Sequence, residues 1–149
     1  MAELRTVEAR KADVLAALEA QGDFWLATAD HSGRPHVIAV SAWWDGTDLV
    51  VATTSASRTA TNLEAGGGVR LAAGSPADAI LIDAKLVESA PAVEAPEMAV
   101  GFAKAAGWDP REVGAGWSFY RLRPVRIQAY RGYEEQEGRD VMLKSRWLA

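Results

Sequence analysis

Phe24-Trp-Leu-Ala-Thr-Ala-Asp-His-Ser-Gly-Arg-Pro-His-Val-Ile-Ala-Val-Ser-Ala-Trp-Trp-Asp-Gly-Thr-Asp-Leu-Val-Val-Ala-Thr-Thr54 decides the fold. Three short runs, 24–29, 36–44 and 48–54, are rich in Val, Ile, Trp, Phe and Thr, which suit a pleated surface. The polar cluster Asp30 to Pro35 separates the first two runs, and Asp45-Gly46 separates the last two. Clusters of Asp, Ser, Gly and Pro turn a chain. Asp-Gly between two apolar runs predicts a two-residue hairpin of type I′, which needs positive φ at both central positions. The stretch therefore reads as three antiparallel strands in a meander.

Working outward from it, residues 4–20 predict one amphipathic helix, with Leu4, Val7, Val14, Leu15 and Leu18 at helical spacing. Thr6 is placed to cap it and Gly22 to stop it. On the other side, Ser55 to Ala65 reads as a loop and short helix ended by Gly66-Gly67-Gly68. Val69 to Gly74 and Ala79 to Val87 follow as strands four and five. The fifth is apolar on both faces, through Ile80 and Ile82 on one and Leu81 on the other, which predicts burial on both. Pro96 opens a helix that Gly107 closes, and Asp109-Pro-Arg-Glu112 carries the cap, proline and acid of a further helical turn. Trp117 to Tyr130 is the sixth and longest strand, with Pro124 marking an edge or a bulge. The tail from Tyr133 is charged, but its Arg146-Trp147-Leu148 end predicts docking. Six strands with hairpin connections and no strand–helix alternation argue against a parallel nucleotide fold. They favour a mainly β, α+β architecture: a six-stranded antiparallel barrel with flanking helices, in which closure removes exposed edges. No repeat or boundary divides residues 1–149, which read as one domain.

Composition narrows the function. The chain has 149 residues, 49% hydrophobic and 24% charged, an ordinary globular mix. It has no cysteine, which removes disulfides, thiolate metal sites and Cys nucleophiles. The two histidines, His31 and His36, are too few for a conventional zinc site without carboxylates, so no metal is expected. A net charge of −4 argues against a nucleic-acid grip. No apolar run approaches a bilayer span. The N-terminus has no apolar signal region, which predicts a cytoplasmic protein. From Trp117 onward seven Lys/Arg face four Asp/Glu; the guanidinium groups of Arg121, Arg123 and Arg126 suit phosphate or carboxylate, or a solvated strand face.

One stretch carries chemistry. Thr53, Thr54, Ser55 and Ser57 offer hydroxyls. A helix starting near Arg58 offers backbone N–H groups and a positive dipole end, and Arg58 adds a charge-assisted donor. Asn62 lies one turn beyond on the same face and is placed to brace the loop. Together they would hold a phosphate; Ser and Thr at such positions also simply cap helices. His36 and Trp44 are candidates to line a flat ring, against the alternative of a partly buried strand histidine and a core tryptophan. Trp43 and Trp117 are further stacking or interface candidates among six tryptophans. Gly66-Gly67-Gly68 follows a helix and lacks the dinucleotide fingerprint. No nucleophile elbow is present, and no side chain is assigned as an acid–base catalyst.

Several pieces resemble a known family. Phe24-Trp-Leu-Ala-Thr with Asp30-His-Ser-Gly-Arg-Pro-His-Val-Ile-Ala-Val is similar to the opening hairpin of the pyridoxamine 5'-phosphate oxidase-like split β-barrels. Trp43-Trp-Asp-Gly-Thr-Asp-Leu, Thr53-Thr-Ser-Ala-Ser-Arg-Thr-Ala-Thr-Asn-Leu63, Val69-Arg-Leu-Ala, Ile80-Leu-Ile-Asp-Ala-Lys-Leu-Val-Glu and Phe119-Tyr-Arg-Leu-Arg-Pro-Val-Arg-Ile-Gln-Ala-Tyr resemble its later elements, with Arg146-Trp147 as the closing pair. The resemblance spans roughly residues 20 to 148. It implies a split barrel, a homodimer, and FMN or coenzyme F-420 in the groove between two barrels, reducing a small organic substrate. It also leaves room for a non-catalytic carrier or sensor of flavin, haem or tetrapyrrole, or a cofactor-less dimeric module. Many members carry basic residues in the short helix where this chain has Thr59 and Thr61, which implies a phosphate grip weaker by one or two charged contacts.

Overall fold

A computed structural model describes residues 3–20 and 22–149. The elements run α1 (Val7–Glu19), β1 (Asp23–Ala29), β2 (Pro35–Trp44), β3 (Leu49–Thr54), α2 (Arg58–Glu64), β4 (Val69–Ser75), β5 (Asp78–Pro91), α3 (Pro96–Ala106), β6 (Trp117–Tyr130), β7 (Asp140–Leu143) and β8 (Arg146–Trp147), with short 3₁₀ turns at Ala92–Glu94, Pro110–Glu112 and Tyr133–Glu135. Strands β3-β2-β1-β4-β5-β6 are hydrogen-bonded in that order, and β3 pairs back onto β6. Every pairing in this ring is antiparallel, the closing one running from Leu49 opposite Leu122 to Thr54 opposite Trp117. The result is the expected six-stranded barrel.

Alternation along each strand fills the barrel. Phe24 and Leu26, Val40, Ala42 and Trp44, Leu49 and Val51, Leu71, Ile82, Tyr120 and Leu122 share one interior cluster, because alternate residues of a strand face the same side. Val14 and Leu18 of α1 and Ala60 and Leu63 of α2 join that cluster. A second cluster lies outside the wall, where Val50, Ala52 and Phe119 meet Met98, Ala99 and Phe102 of α3. A side chain on Gly101 would begin 2.3 Å from the Trp43 ring, so the absent Cβ is what lets α3 lie against β2.

Several expectations are met with local differences. Thr6 caps α1 by accepting from the Ala9 N–H at 3.1 Å, but the helix opens at Val7 and leaves Leu4 exposed. The β2–β3 hairpin does have two central residues, but they are Gly46 and Thr47: Trp44 pairs with Leu49 and Asp45 N–H donates to the Asp48 carbonyl. Only Gly46 has positive φ (+100°), the type II′ signature with glycine first. The Asp45 carboxylate occupies the turn instead, accepting from the N–H groups of Thr47 and Asp48. Leu81 is only half-buried, so β5 is covered on one face and not on both. Pro124 stands at a bulge: Ala84 pairs with Pro124 and Asp83 with Arg126, leaving Val125 extra. The tail adds two short strands, with Met142 opposite Trp147. Their turn, Lys144-Ser145, has both residues at positive φ and is pinned where Ser145 donates its amide to the Val125 carbonyl and its hydroxyl to the Pro124 carbonyl, each at 2.8 Å. Among the described residues no helix is long and apolar enough to cross a membrane.

Candidate cofactor site

The bend after β3 is built by its own hydroxyls. Ser57 caps α2, its Oγ accepting from the Ala60 N–H at 3.1 Å and from the Thr53 hydroxyl at 3.1 Å. Ser55 donates both its amide and its hydroxyl to the Gly116 carbonyl, each at 2.8 Å. Thr61 donates its hydroxyl back to the Ser57 carbonyl. The protons of Thr53, Ser55 and Thr61 are therefore spent inside the protein. What remains outward is the Ser57 hydroxyl proton, the Thr54 hydroxyl and the exposed Arg58 guanidinium, which has no hydrogen-bond or ion-pair partner among the described residues. A guanidinium beside two hydroxyls fits a phosphate dianion, with fewer donors than the Ser/Thr count suggests.

The remaining candidates divide. Asn62 is buried and donates its side-chain amide to the Thr28 hydroxyl at 3.1 Å, so it braces α2 against β1. His36 is the cross-strand partner of Thr28. Asn62 and His36 thus converge on one residue, which nothing in the sequence marks. Trp44 does not join them. It is buried in the barrel interior, five residues of strand away from the bend, since it pairs with Leu49 while the bend begins after Thr54. At about 3.3 Å per residue that is roughly 16 Å. Thr59 is buried and Thr61 exposed, so of the two positions where the resemblance leads one to expect a basic residue, only position 61 faces solvent.

The three arginines of the last strand are also committed. Arg121 pairs with Asp45 and Glu88, Arg123 with Asp48 at 2.9 Å, and Arg126 with Asp140 at 2.8 Å. They form a salted outer wall. Burial lowers the pKa of Arg121, but Asp45, Glu88 and Asp48 together outweigh it and leave the value raised; the hydrogen bonds to Asp48 and Asp140 raise those of Arg123 and Arg126.

Two hollows reach residues tied to this region, one through Thr28, which Asn62 braces, and one through Ser55. One of 460 Å³ is lined by Ala27, Thr28, Gly68, Val69 and Arg70 and begins where Asn62 braces β1. Its Ala27 lies opposite Val37 on the outer face of β1 and β2, where Trp25 is 59% and Val37 54% exposed. A smaller one of 190 Å³ is lined by Ser55 and by the segment leading into β6.

Comparison with known proteins decides the lineage. The family described as Pyridoxamine 5'-phosphate oxidase matches residues 11–128. The chain belongs to this family. No curated protein matches it. Among solved structures, an F-420 reductase is similar with a TM-score of 0.64 and 19% identity, over 75% of this chain and 93% of that one. A protein from Clostridium acetobutylicum related to general stress protein 26 superposes with a TM-score of 0.64 and 13% identity, over 81% and 87%. A pyridoxamine 5'-phosphate oxidase-related, FMN-binding protein from Nostoc punctiforme gives 0.60 and 15%, over 86% and 85%. At these identities the likeness is one of fold: the split barrel of this family.

Proposed function

We propose that the protein is a cytoplasmic homodimer that binds FMN or coenzyme F-420 beside the β3–α2 bend and reduces a small organic molecule. The observation that carries this reading is the unpartnered Arg58 beside Ser57 and Thr54, at the end of a barrel whose neighbouring outer face leaves Trp25 and Val37 uncovered. Large apolar side chains side by side on a sheet face mark a contact surface, and a second barrel laid there turns the 460 Å³ hollow into a closed groove. Family membership and the FMN- and F-420-named neighbours support the cofactor class.

When bound, the cofactor supplies hydride chemistry. The chain's own residues bind and orient it. Arg58, Ser57 and Thr54 hold the phosphate end. Asn62 and Thr28 keep α2 at a fixed distance from β1, and His36 borders the same place. The sheet face excludes water once a partner covers it.

The test is equilibrium titration of the protein with FMN and with F-420, followed by quenching of cofactor fluorescence. A Kd below about 100 μM, roughly −5.5 kcal/mol, is expected for one of them, and Arg58→Ala is expected to weaken it about tenfold, or ~1.4 kcal/mol. Binding of neither below that limit overturns the reading. It would then favour the cofactor-less module, for which one observation already speaks: Thr53, Ser55 and Thr61 spend their protons on the protein itself.

A further inference from the structure

The 190 Å³ cavity beside Ser55 lies between the Pro91–Val93 turn, the Gly114-Ala115-Gly116 strap and the first residues of β6. Its walls are mostly Pro, Ala, Val and the Trp117 ring. Small residues keep it open, because the strap offers two glycines and one alanine where larger side chains would fill the space. Two donors border it. The Trp117 indole nitrogen lies 4.0 Å from where a side chain on Gly114 would begin. It has no acceptor among the described residues, although the indole N–H of neighbouring Trp108 reaches Ser41. Arg111 uses Nε and Nη2 on the Asp109 carboxylate, at 3.1 and 2.7 Å, and Nη1 is left without a partner among the described residues. Asp109 also accepts from the Arg111 backbone N–H at 2.9 Å, so the guanidinium is already neutralised and held in place.

We infer that this cavity is a binding site for a small, flat, uncharged carbonyl compound, its body against Trp117 and the prolines and its oxygen accepting from Trp117 Nε1–H and Arg111 Nη1. The charge balance decides between ligand classes. A carboxylate entering here meets Asp109 beside the one cation, and like charges so placed repel. A pure hydrocarbon takes no hydrogen bond from either donor and so gains nothing from them. An uncharged acceptor satisfies both. The volume is below that of sites for drug-sized ligands, about 300–1,000 Å³, and suits a single ring. Ser55 joins the cavity to the bend, since its hydroxyl and amide bind the Gly116 carbonyl in the cavity wall. As a substrate pocket the site rests on the oxidoreductase reading; as a binding site it does not.

The probe is benzamide, titrated into the cofactor-free protein and followed in ¹⁵N–¹H spectra of the tryptophan indoles. The Trp117 signal is identified by its loss in Trp117→Phe. Saturable movement of that signal is expected, with benzoate and toluene at least tenfold weaker, and with benzamide weakened about tenfold by Ala115→Leu, which narrows the cavity from an exposed position. Arg111→Gln, expected to weaken benzamide severalfold, serves if the other indole signals show that the leucine variant is misfolded. No movement of the Trp117 signal up to the solubility limit overturns the inference, as does benzoate binding as tightly as benzamide. Benzamide binding here without affinity for FMN or F-420 keeps the site and removes the oxidoreductase reading. Cofactor binding with an unmoved Trp117 does the reverse.

Discussion

Arg58 and Thr61 stand three residues apart on α2, within reach of one anion. Thr61 is exposed and spends its hydroxyl on the Ser57 carbonyl. Replacing it by arginine adds a second guanidinium at the position that faces solvent. Thr61→Arg is expected to tighten FMN about tenfold, ~1.4 kcal/mol, in the same fluorescence titration; unchanged affinity places the phosphate elsewhere. Thr59→Arg, at the buried neighbour, is expected to lower stability instead. A second residue governs acid tolerance. Glu135 is buried and accepts from the Arg5 guanidinium at 2.6 Å and from the backbone N–H groups of Arg5 and Arg131. Chiefly the Arg5 hydrogen bond holds its carboxyl down at about 2. A carboxyl with a depressed folded pKa adds stability above its unfolded value, about 4.3, and loses it as pH falls toward the folded one. Urea midpoints measured from pH 5 to pH 2 are expected to fall, and Glu135→Gln to start lower and flatten that decline.

At the scale of elements, α3 sits where it does because Gly101 has no side chain to meet Trp43. Gly101→Ala is expected to cost about 1–3 kcal/mol, the range for overpacking a filled site, and Trp43→Phe in the same chain to recover part of that loss. Denaturant unfolding of the two single variants and the double variant measures the coupling; additive losses would mean that the contact is not what sets the helix. The elements also show what a sequence reveals. The six barrel strands are legible because each holds an apolar run set off by turn-forming residues, and α2 and α3 because Ser57 and Pro96 open them. Strands β7 and β8 have four and two residues, too few for a period, and their turn is Lys144-Ser145 where a sequence reader looks for Asn-Gly. Arg10 hides for another reason. It occupies the inner stripe of α1 with Val14 and Leu18, and donates to the carbonyls of Ala129, Glu135 and Gly138, so its partners lie more than a hundred residues away. The same distance obscures the site: a run of Ser and Thr signals hydroxyls, but that Ser55 would spend its own on Gly116 depends on where β6 returns.

For the whole molecule, the uncovered face is the feature with the clearest outcome. Trp25 and Val37 occupy the outer side of β1 and β2 while the inner side is packed. Sedimentation velocity is expected to give a dimer for the native chain and a folded monomer for Trp25→Arg, since a guanidinium at the centre of such a contact is buried unpaired. Cofactor affinity should fall with the dimer, whereas the cavity beside Trp117, built from one chain, should keep its ligand. The ring of strands carries a different consequence. Its last seam joins residues 49–54 to residues 117–122, and pairings that span so much chain are formed late, because loop-closure entropy is spent before they reward it. During synthesis β3 therefore waits with an open edge until β6 has left the ribosome. That interval is when the polypeptide is most exposed to edge-to-edge aggregation and chaperone capture.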